Sequence, residues 1–101
     1  QEDHVSMAPW ATRKAKTIID NVRKVLGIEC LLAAEAISLT EPQLGQFKLG
    51  NGTQAAFDCI RREVKPAYQD SYIPHQSEPA IKLIENGRLL DSVEETIGSM
   101  R

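Results

Sequence analysis

The chain has 101 residues, 42% of them hydrophobic and 26% charged, and its formal net charge is −2. This balance excludes the basic footprint of a nucleic-acid-binding protein or of one that binds an anionic membrane surface. Apolar residues and charges of both signs are interspersed along the chain. This composition is typical of a globular protein and not of a disordered one. The length predicts one domain or part of one.

Cysteine and histidine usage predicts neither a metal site nor a disulfide framework. The two cysteines, Cys30 and Cys59, are not in a Cys-x-x-Cys pair, and the two histidines, His4 and His75, are far apart. We therefore expect no metal. One disulfide is possible, but two buried thiols in a cytosolic protein are the expected state.

The first seven residues, Gln-Glu-Asp-His-Val-Ser-Met, carry the densest chemistry in the chain. They combine two carboxylates, an amide, an imidazole and a hydroxyl, and we predict that residues 1–8 form a loop. Chain ends are usually frayed and loosely packed. We therefore expect that the chain does not naturally begin at Gln1 and that it is the C-terminal piece of a longer protein.

A long helix is predicted over residues 9–38. Pro9 suits a first helical turn, and only Gly27 interrupts the helix-forming residues that follow. Apolar residues recur at helical spacing, and residues 25–37 are apolar nearly all round, which predicts burial on all sides. We expect Glu29 and Glu35 to pair with Arg or Lys from neighbouring helices, because burying an unpaired carboxylate is costly.

The predicted helix is too long for a chain of this size. Thirty residues make a rod of roughly 45 Å, whereas a compact globule of about 100 residues is only roughly 35 Å across. Helices that bury such a rod must come from a missing N-terminal portion or from other subunits. We therefore predict a slice of a larger helical bundle.

The remainder is predicted as a linker followed by short helices. Glycines and the Asn51-Gly52 pair indicate a linker over 39–52. Residues 53–101 contain three short helical patterns, and no strand is predicted, so the expected class is all-α. The predicted helices are 54–65 capped by Thr53, 77–86 ended by Gly87, and 93–98 started by a capping box at Ser92 and Glu95.

The opening heptapeptide closely resembles a signature of histidine ammonia-lyase, a member of the aromatic amino-acid lyases that use a methylidene-imidazolone electrophile. In the family the signature also runs into a long helix, as it does here through Ala8-Pro9. The resemblance is strong to about Leu39. It is weaker over Gly52–Phe57 and Asn86–Leu90.

The resemblance implies an enzyme that deaminates L-histidine to urocanate and ammonia. The family forms its electrophile from an internal Ala-Ser-Gly tripeptide. This sequence contains no Ala-Ser-Gly, so the methylidene-imidazolone is expected in the missing N-terminal part and the chain alone is expected to be inactive. The family enzyme is a homotetramer with helices bundled at its centre, which implies self-association through the long helix.

Glu2 is the residue that the resemblance implies for catalysis, within an active-site loop over 1–8. A carboxylate accepts a hydrogen bond from a ring N–H and stabilises a cationic ring. The phenylalanine and tyrosine branches carry Gln at the matching place, so Glu2 favours histidine. Gln1, Asp3 and His4 are expected to bind substrate or support Glu2. The alternative for Glu2 is a helix-start carboxylate favoured by the helix dipole.

Two other readings of the whole chain remain open. One is a helical assembly module without catalysis. The other is a family member that acts on another aromatic amino acid.

Overall fold

The computed structural model describes residues 2–45, 48–66 and 73–100, and it describes side chains from Ala8 onward within these ranges, except at residues 44 and 73–75. These residues form four α-helices and no strand, which confirms the all-α class. The helices are α1 (Glu2–Leu44), α2 (Asn51–Glu63), α3 (Ile73–Glu85) and α4 (Arg88–Ile97).

Helix α1 is longer than predicted at both ends. It begins at Glu2, within the segment predicted as a loop, and it ends at Leu44, within the predicted linker. Pro9 and Pro42 both lie inside it. Each proline removes one backbone N–H donor, but a nucleated helix gains one hydrogen bond for every residue added, so it continues through the predicted boundaries.

The long helix makes the chain elongated, as its predicted length required. The radius of gyration is 17.8 Å and the principal extents are 65 × 36 × 18 Å. A compact chain of about 100 residues would have a radius of gyration near 13 Å. Helices α2 and α3 pack against the C-terminal half of α1, α4 packs mainly on α2, and the N-terminal half of α1 extends beyond them.

The predicted starts of all three short helices are wrong. Helix α3 begins at Ile73 rather than at residue 77, so Pro79 lies inside it. Glycines explain the other two. Helix α2 starts after Gly50 rather than Thr53, with the Gln54 N–H donating to the Gly50 carbonyl at 2.8 Å. Helix α4 starts after Gly87, so Ser92 lies inside it and its hydroxyl donates to the Arg88 carbonyl. A capping-box pattern at Ser92 therefore does not mark a helix start here.

Gly87 ends α3, as predicted, and also begins α4. Its φ of 75° is in the left-handed region, which glycine adopts without the cost that a Cβ imposes. The N–H of Gly87 donates to the Ile84 carbonyl at 3.3 Å, and its own carbonyl accepts from Asp91 at 3.0 Å. One residue therefore closes one helix and opens the next.

The core is small and lies where all four helices meet. One buried cluster contains Ala34, Cys59, Ile60 and Leu83, with Leu89 of α4 packed against it, and the second contains Leu31, Val64 and Ala80. Only one face of α1 contributes to these clusters.

Within this chain the apolar half of α1 is covered on one face only. Val25 is 63% exposed and Leu32 is 62% exposed, because α2 and α3 pack on the opposite face. The burial on all sides that the sequence predicts would have to come from other segments or subunits, and it stays a prediction. Despite this apolar surface, none of the helices in the described ranges is long and apolar enough to cross a membrane.

Helix α3 crosses α1 at Gly27, where the two backbones nearly touch. A Cβ built on Gly27 would lie 2.6 Å from Ile81 Cγ1 and 2.8 Å from Ile81 Cα. Such distances are below any ordinary van der Waals contact, and a backbone atom cannot move aside as a flexible side-chain end can. The absence of a side chain at position 27 therefore sets how closely α3 approaches α1.

We expect Gly27→Ala to destabilise the chain by about 1–3 kcal/mol, because overpacking outweighs the roughly 1 kcal/mol that Ala gains over Gly in a helix. Urea denaturation followed by circular dichroism measures the change. Gly50→Ala is the matched control, since nothing lies within 4 Å of its added Cβ. A Gly27→Ala protein as stable as the wild type would contradict the close crossing.

Arg61 joins α2 to α1 through a buried set of hydrogen bonds. Its guanidinium donates to Glu35 Oε1 at 3.0 Å, to the Ala34 carbonyl at 2.9 Å and to Ser38 Oγ at 2.8 Å. The guanidinium also lies 5.5 Å from the centroid of the Phe57 ring. The predicted pairing of Glu35 with a cation from a neighbouring helix is confirmed by this contact.

We expect Arg61→Met to lower the free energy of unfolding by about 2–3 kcal/mol, because it removes the bond to Glu35 and three further bonds, to Ser38 and to the Ala34 and Val64 carbonyls, at a largely buried site. Arg62→Met, one residue along on the exposed side of α2, should change it by less than about 0.5 kcal/mol. Equal effects of the two substitutions in urea melts would show that the Arg61 contacts contribute nothing specific.

Candidate functional site at the start of the long helix

The predicted site residues lie at the far end of α1 from the core. The backbone places Glu2, Asp3 and His4 in the first turn of α1. Gln1 lies outside the described residues, as do the side chains of residues 2–7. The roles assigned to these four residues therefore stay predictions.

The first turn of a helix has a distinct electrostatic character. Its leading N–H groups have no partner within the helix, and the helix dipole favours negative charge there. Glu2 and Asp3 therefore occupy a position that stabilises carboxylates irrespective of catalysis. This backbone placement is compatible with both the catalytic and the helix-start interpretation of Glu2.

The distance along α1 separates this site from the rest of the chain. Leu31, the first core residue of α1, is 29 residues beyond Glu2, which corresponds to about 44 Å of helix. Helices α2 to α4 pack against the far half and do not reach the first turn. Any enclosed site around Glu2 therefore requires further protein segments.

The cavities among the described residues are elsewhere. One of about 300 Å³ is lined by side chains of α2, α3 and α4, including Glu63, Lys82 and Arg88. Another of about 360 Å³ lies where the end of α1 meets the start of α2, near Ile37 and Phe57. Neither contains a predicted site residue.

Charged residues on the N-terminal half of α1 form a solvated face rather than a site. Asp20 pairs with Lys16 at 3.2 Å and with Arg23 at 3.8 Å, and all three side chains are substantially exposed. Exposed pairs of this kind contribute only about 0–1 kcal/mol. Farther toward the helix start, Lys14 Nζ lies 5.2 Å from the centroid of the exposed Trp10 ring.

Both thiols are free. Cys59 is buried, as predicted, whereas Cys30 is only partly buried, so the prediction of two buried thiols is wrong for Cys30. Burial raises the pKa of the Cys30 thiol above its ordinary value, and the negative charge of Glu29 raises it further. A pKa raised in this direction makes the thiolate, which is the nucleophilic form, scarcer at neutral pH. Among the described residues, no group of His, Cys, Asp and Glu could hold a metal ion.

The chain is an all-α segment in which a polar heptapeptide lies at the start of a long helix. The family model for aromatic amino acid lyase matches residues 1–62. The chain belongs to the aromatic amino acid lyase family.

Curated relatives in this family are named histidine ammonia-lyase. The chain is 38% identical over its full length to the protein of Natranaerobius thermophilus and 41% identical over 99% of its length to that of Symbiobacterium thermophilum. It is 37% identical over 99% of its length to histidine ammonia-lyase 1 of Fusobacterium nucleatum. The chain spans only 19% of the length of each relative, in the C-terminal part. No solved structure shows significant similarity to it.

Sequence reading did not single out the residues that organise the described structure. In the sequence Arg61 and Arg62 form a charged pair that suggests two exposed side chains. Gly27 suggests only a weak point in the helical pattern of α1. Their roles depend on contacts with Glu35 and Ile81, which come from other helices. No local signal distinguishes Arg61 from Arg62, whereas a glycine inside a strong helical pattern is itself a sign of close packing.

Proposed function

We propose that this chain is part of a histidine ammonia-lyase-type enzyme that acts in the cytoplasm, converting L-histidine to urocanate and ammonia. The observation that carries the proposal is the opening heptapeptide Gln1–Met7, leading into α1 in a chain of the aromatic amino acid lyase family. The names of the curated relatives favour histidine over another aromatic amino acid.

In this proposal Glu2 faces the imidazole of the substrate. Its carboxylate accepts a charge-assisted hydrogen bond from the ring N–H, and a cationic ring would add an ion pair. Gln1, Asp3 and His4 bind substrate or hold Glu2 in place. The methylidene-imidazolone electrophile of the longer enzyme supplies the acceptor for the substrate amine, and it belongs to a segment outside this chain, which has no Ala-Ser-Gly.

The chain also contributes an association surface in this proposal. The exposed apolar face of α1, which includes Val22, Val25 and Leu32, packs against other subunits, and the full enzyme is a homotetramer. Large exposed apolar patches rimmed by polar residues mark interaction sites. A helical assembly module without catalysis would use the same surface, but the family signature at Glu2 favours the enzyme.

Glu2→Gln in the longer enzyme should lower kcat/KM for histidine by about tenfold or more, because Gln keeps the shape but removes the charge, and ~1.4 kcal/mol lost in the transition state is tenfold in rate. Melting temperature and kcat/KM are measured on the same protein. Asp20→Asn is the control, a carboxylate on an exposed face of the same helix. A normal rate with a lowered melting temperature would assign Glu2 a structural role.

The 101-residue chain alone should show no turnover of histidine, since it lacks the precursor of the electrophile. Urocanate absorbance measures this directly, with the longer enzyme as positive control. Turnover by the chain alone would refute this assignment of the electrophile to another segment.

The 101-residue chain should self-associate at tens of micromolar, the order of concentration at which exposed hydrophobic segments associate. Leu32→Gln, on the exposed face of α1, should weaken this association because it places an amide in the apolar contact. Sedimentation velocity gives the oligomeric state. A compact monomer throughout the concentration range would count against the proposed surface.

A further inference from the structure

A cavity of about 300 Å³ lies where α3 meets the end of α2 and the start of α4. Its polar lining includes Glu63, Glu78, Lys82, Asn86 and Arg88, and its apolar lining includes Leu83, which is almost fully buried. We call it the α3 cavity. Its volume is at the lower end of the range for ligand pockets in proteins, so it has room for a small molecule.

Four charged side chains line the α3 cavity, two carboxylates and two cations. Because these charges sum to zero, the lining as a whole does not favour ions of one sign over the other. Arg88 pairs with Glu63 at 3.5 Å, which is longer than the roughly 2.7–2.9 Å of a charge-assisted hydrogen bond. This loose pair leaves both groups able to bind a further charge.

Glu78 and Lys82 form no ion pair within the described part of the chain, although their spacing favours one. They lie four residues apart on α3 with the glutamate nearer the N-terminus, which is the favourable order for an ion pair along a helix. Neither side chain has a hydrogen bond to another described residue. Both are exposed at the cavity, so each charge is accessible to a ligand.

Hydrogen-bond acceptors and donors are separated along α3. Glu78, Lys82 and Asn86 follow one another at intervals of four residues and therefore lie in one row, about 12 Å long. The acceptor Glu78 is at one end of this row, and the other two residues supply donors toward the other end, next to Arg88. Asn86 Oδ1 accepts the Arg88 backbone N–H at 3.0 Å, which holds the amide in place and leaves its N–H groups to donate.

We propose that the α3 cavity binds a small zwitterion of the α-amino-acid class. The carboxylate of the ligand accepts hydrogen bonds from Lys82, Asn86 and Arg88. Its ammonium group donates to Glu78, and an apolar side chain packs on Leu83.

A zwitterion fits this lining better than a simple ion does. A ligand with a single charge leaves lining groups of the same sign beside it, where like charges repel, whereas a zwitterion satisfies the acceptor end and the donor end together. The proposal depends on contacts of the described residues and not on the proposed lyase activity, so either can fail without the other.

Matched ligands test the charge requirement on the unchanged protein. L-Leucine is the probe, isocaproate is leucine without its amino group, and isopentylamine is leucine without its carboxylate. Each is titrated into the isotope-labelled 101-residue chain, and NMR follows the amide chemical shifts. Leucine should bind in the millimolar range and about fivefold more tightly than either analogue, because each analogue loses one ion pair. The shifts should concentrate on residues 78–88.

Substitutions test which side chain binds which end of the ligand. Glu78→Gln should lower the affinity for leucine by about fivefold and leave that for isocaproate unchanged, since isocaproate has no ammonium group. Lys82→Met should lower the affinity for leucine and isocaproate alike, but not that for isopentylamine. Glu85→Gln and Lys65→Met are the matched controls, at exposed positions outside the cavity lining, and should change none of these affinities.

Several results would overturn the proposal. Leucine that shows no saturable binding, or that binds no more tightly than its two analogues, contradicts the zwitterion requirement. Shifts centred away from residues 78–88, or an equal loss of affinity in Glu78→Gln and Glu85→Gln, contradict the location. The ligand comparison uses unchanged protein, so it decides the question even where a variant fails to fold.

Discussion

The close crossing of α3 over α1 at Gly27 is the contact on which the rest of the described structure depends. Because position 27 has no side chain, the backbone of Ile81 approaches α1 directly, and Ala80 is buried in the same contact. Ala80 also packs with Leu31 and Val64 in one buried cluster, so this approach holds α3 against the core. A Cβ at Gly27 would separate α3 from α1 and loosen these contacts.

Because of the same crossing, one face of α1 is buried within the chain and the opposite face is exposed. The face that carries Gly27 and Leu31 is covered within the chain, whereas Val25 and Leu32 remain exposed. A helix that is apolar nearly all round needs cover on all sides, and α2 and α3 supply it on one side only. The exposed side of α1 is therefore a surface that the described part of the chain leaves uncovered.

The buried contacts of α1 and the residues proposed for catalysis lie in different halves of the helix. The buried contacts, including the Arg61 bonds to Glu35 and Ser38, lie in the second half of the helix. The signature with Glu2 lies at its start. A long rigid helix can hold a reactive side chain at a distance from the packing that supports it, and further segments can then enclose the site without disturbing that packing.

The sequence by itself determined the class, the long helix and the family, because a 3.6-residue period and a polar heptapeptide are local patterns. It predicted Gly87 as a helix end for the same reason. The sequence patterns misplaced the starts of α1 and α4, because α1 continues through Pro9 and because Gly87 opens α4 before Ser92. Only the tertiary structure decided which face of α1 is covered. That outcome depends on which distant residues meet, as Gly27 meets Ile81, and no local pattern contains that information.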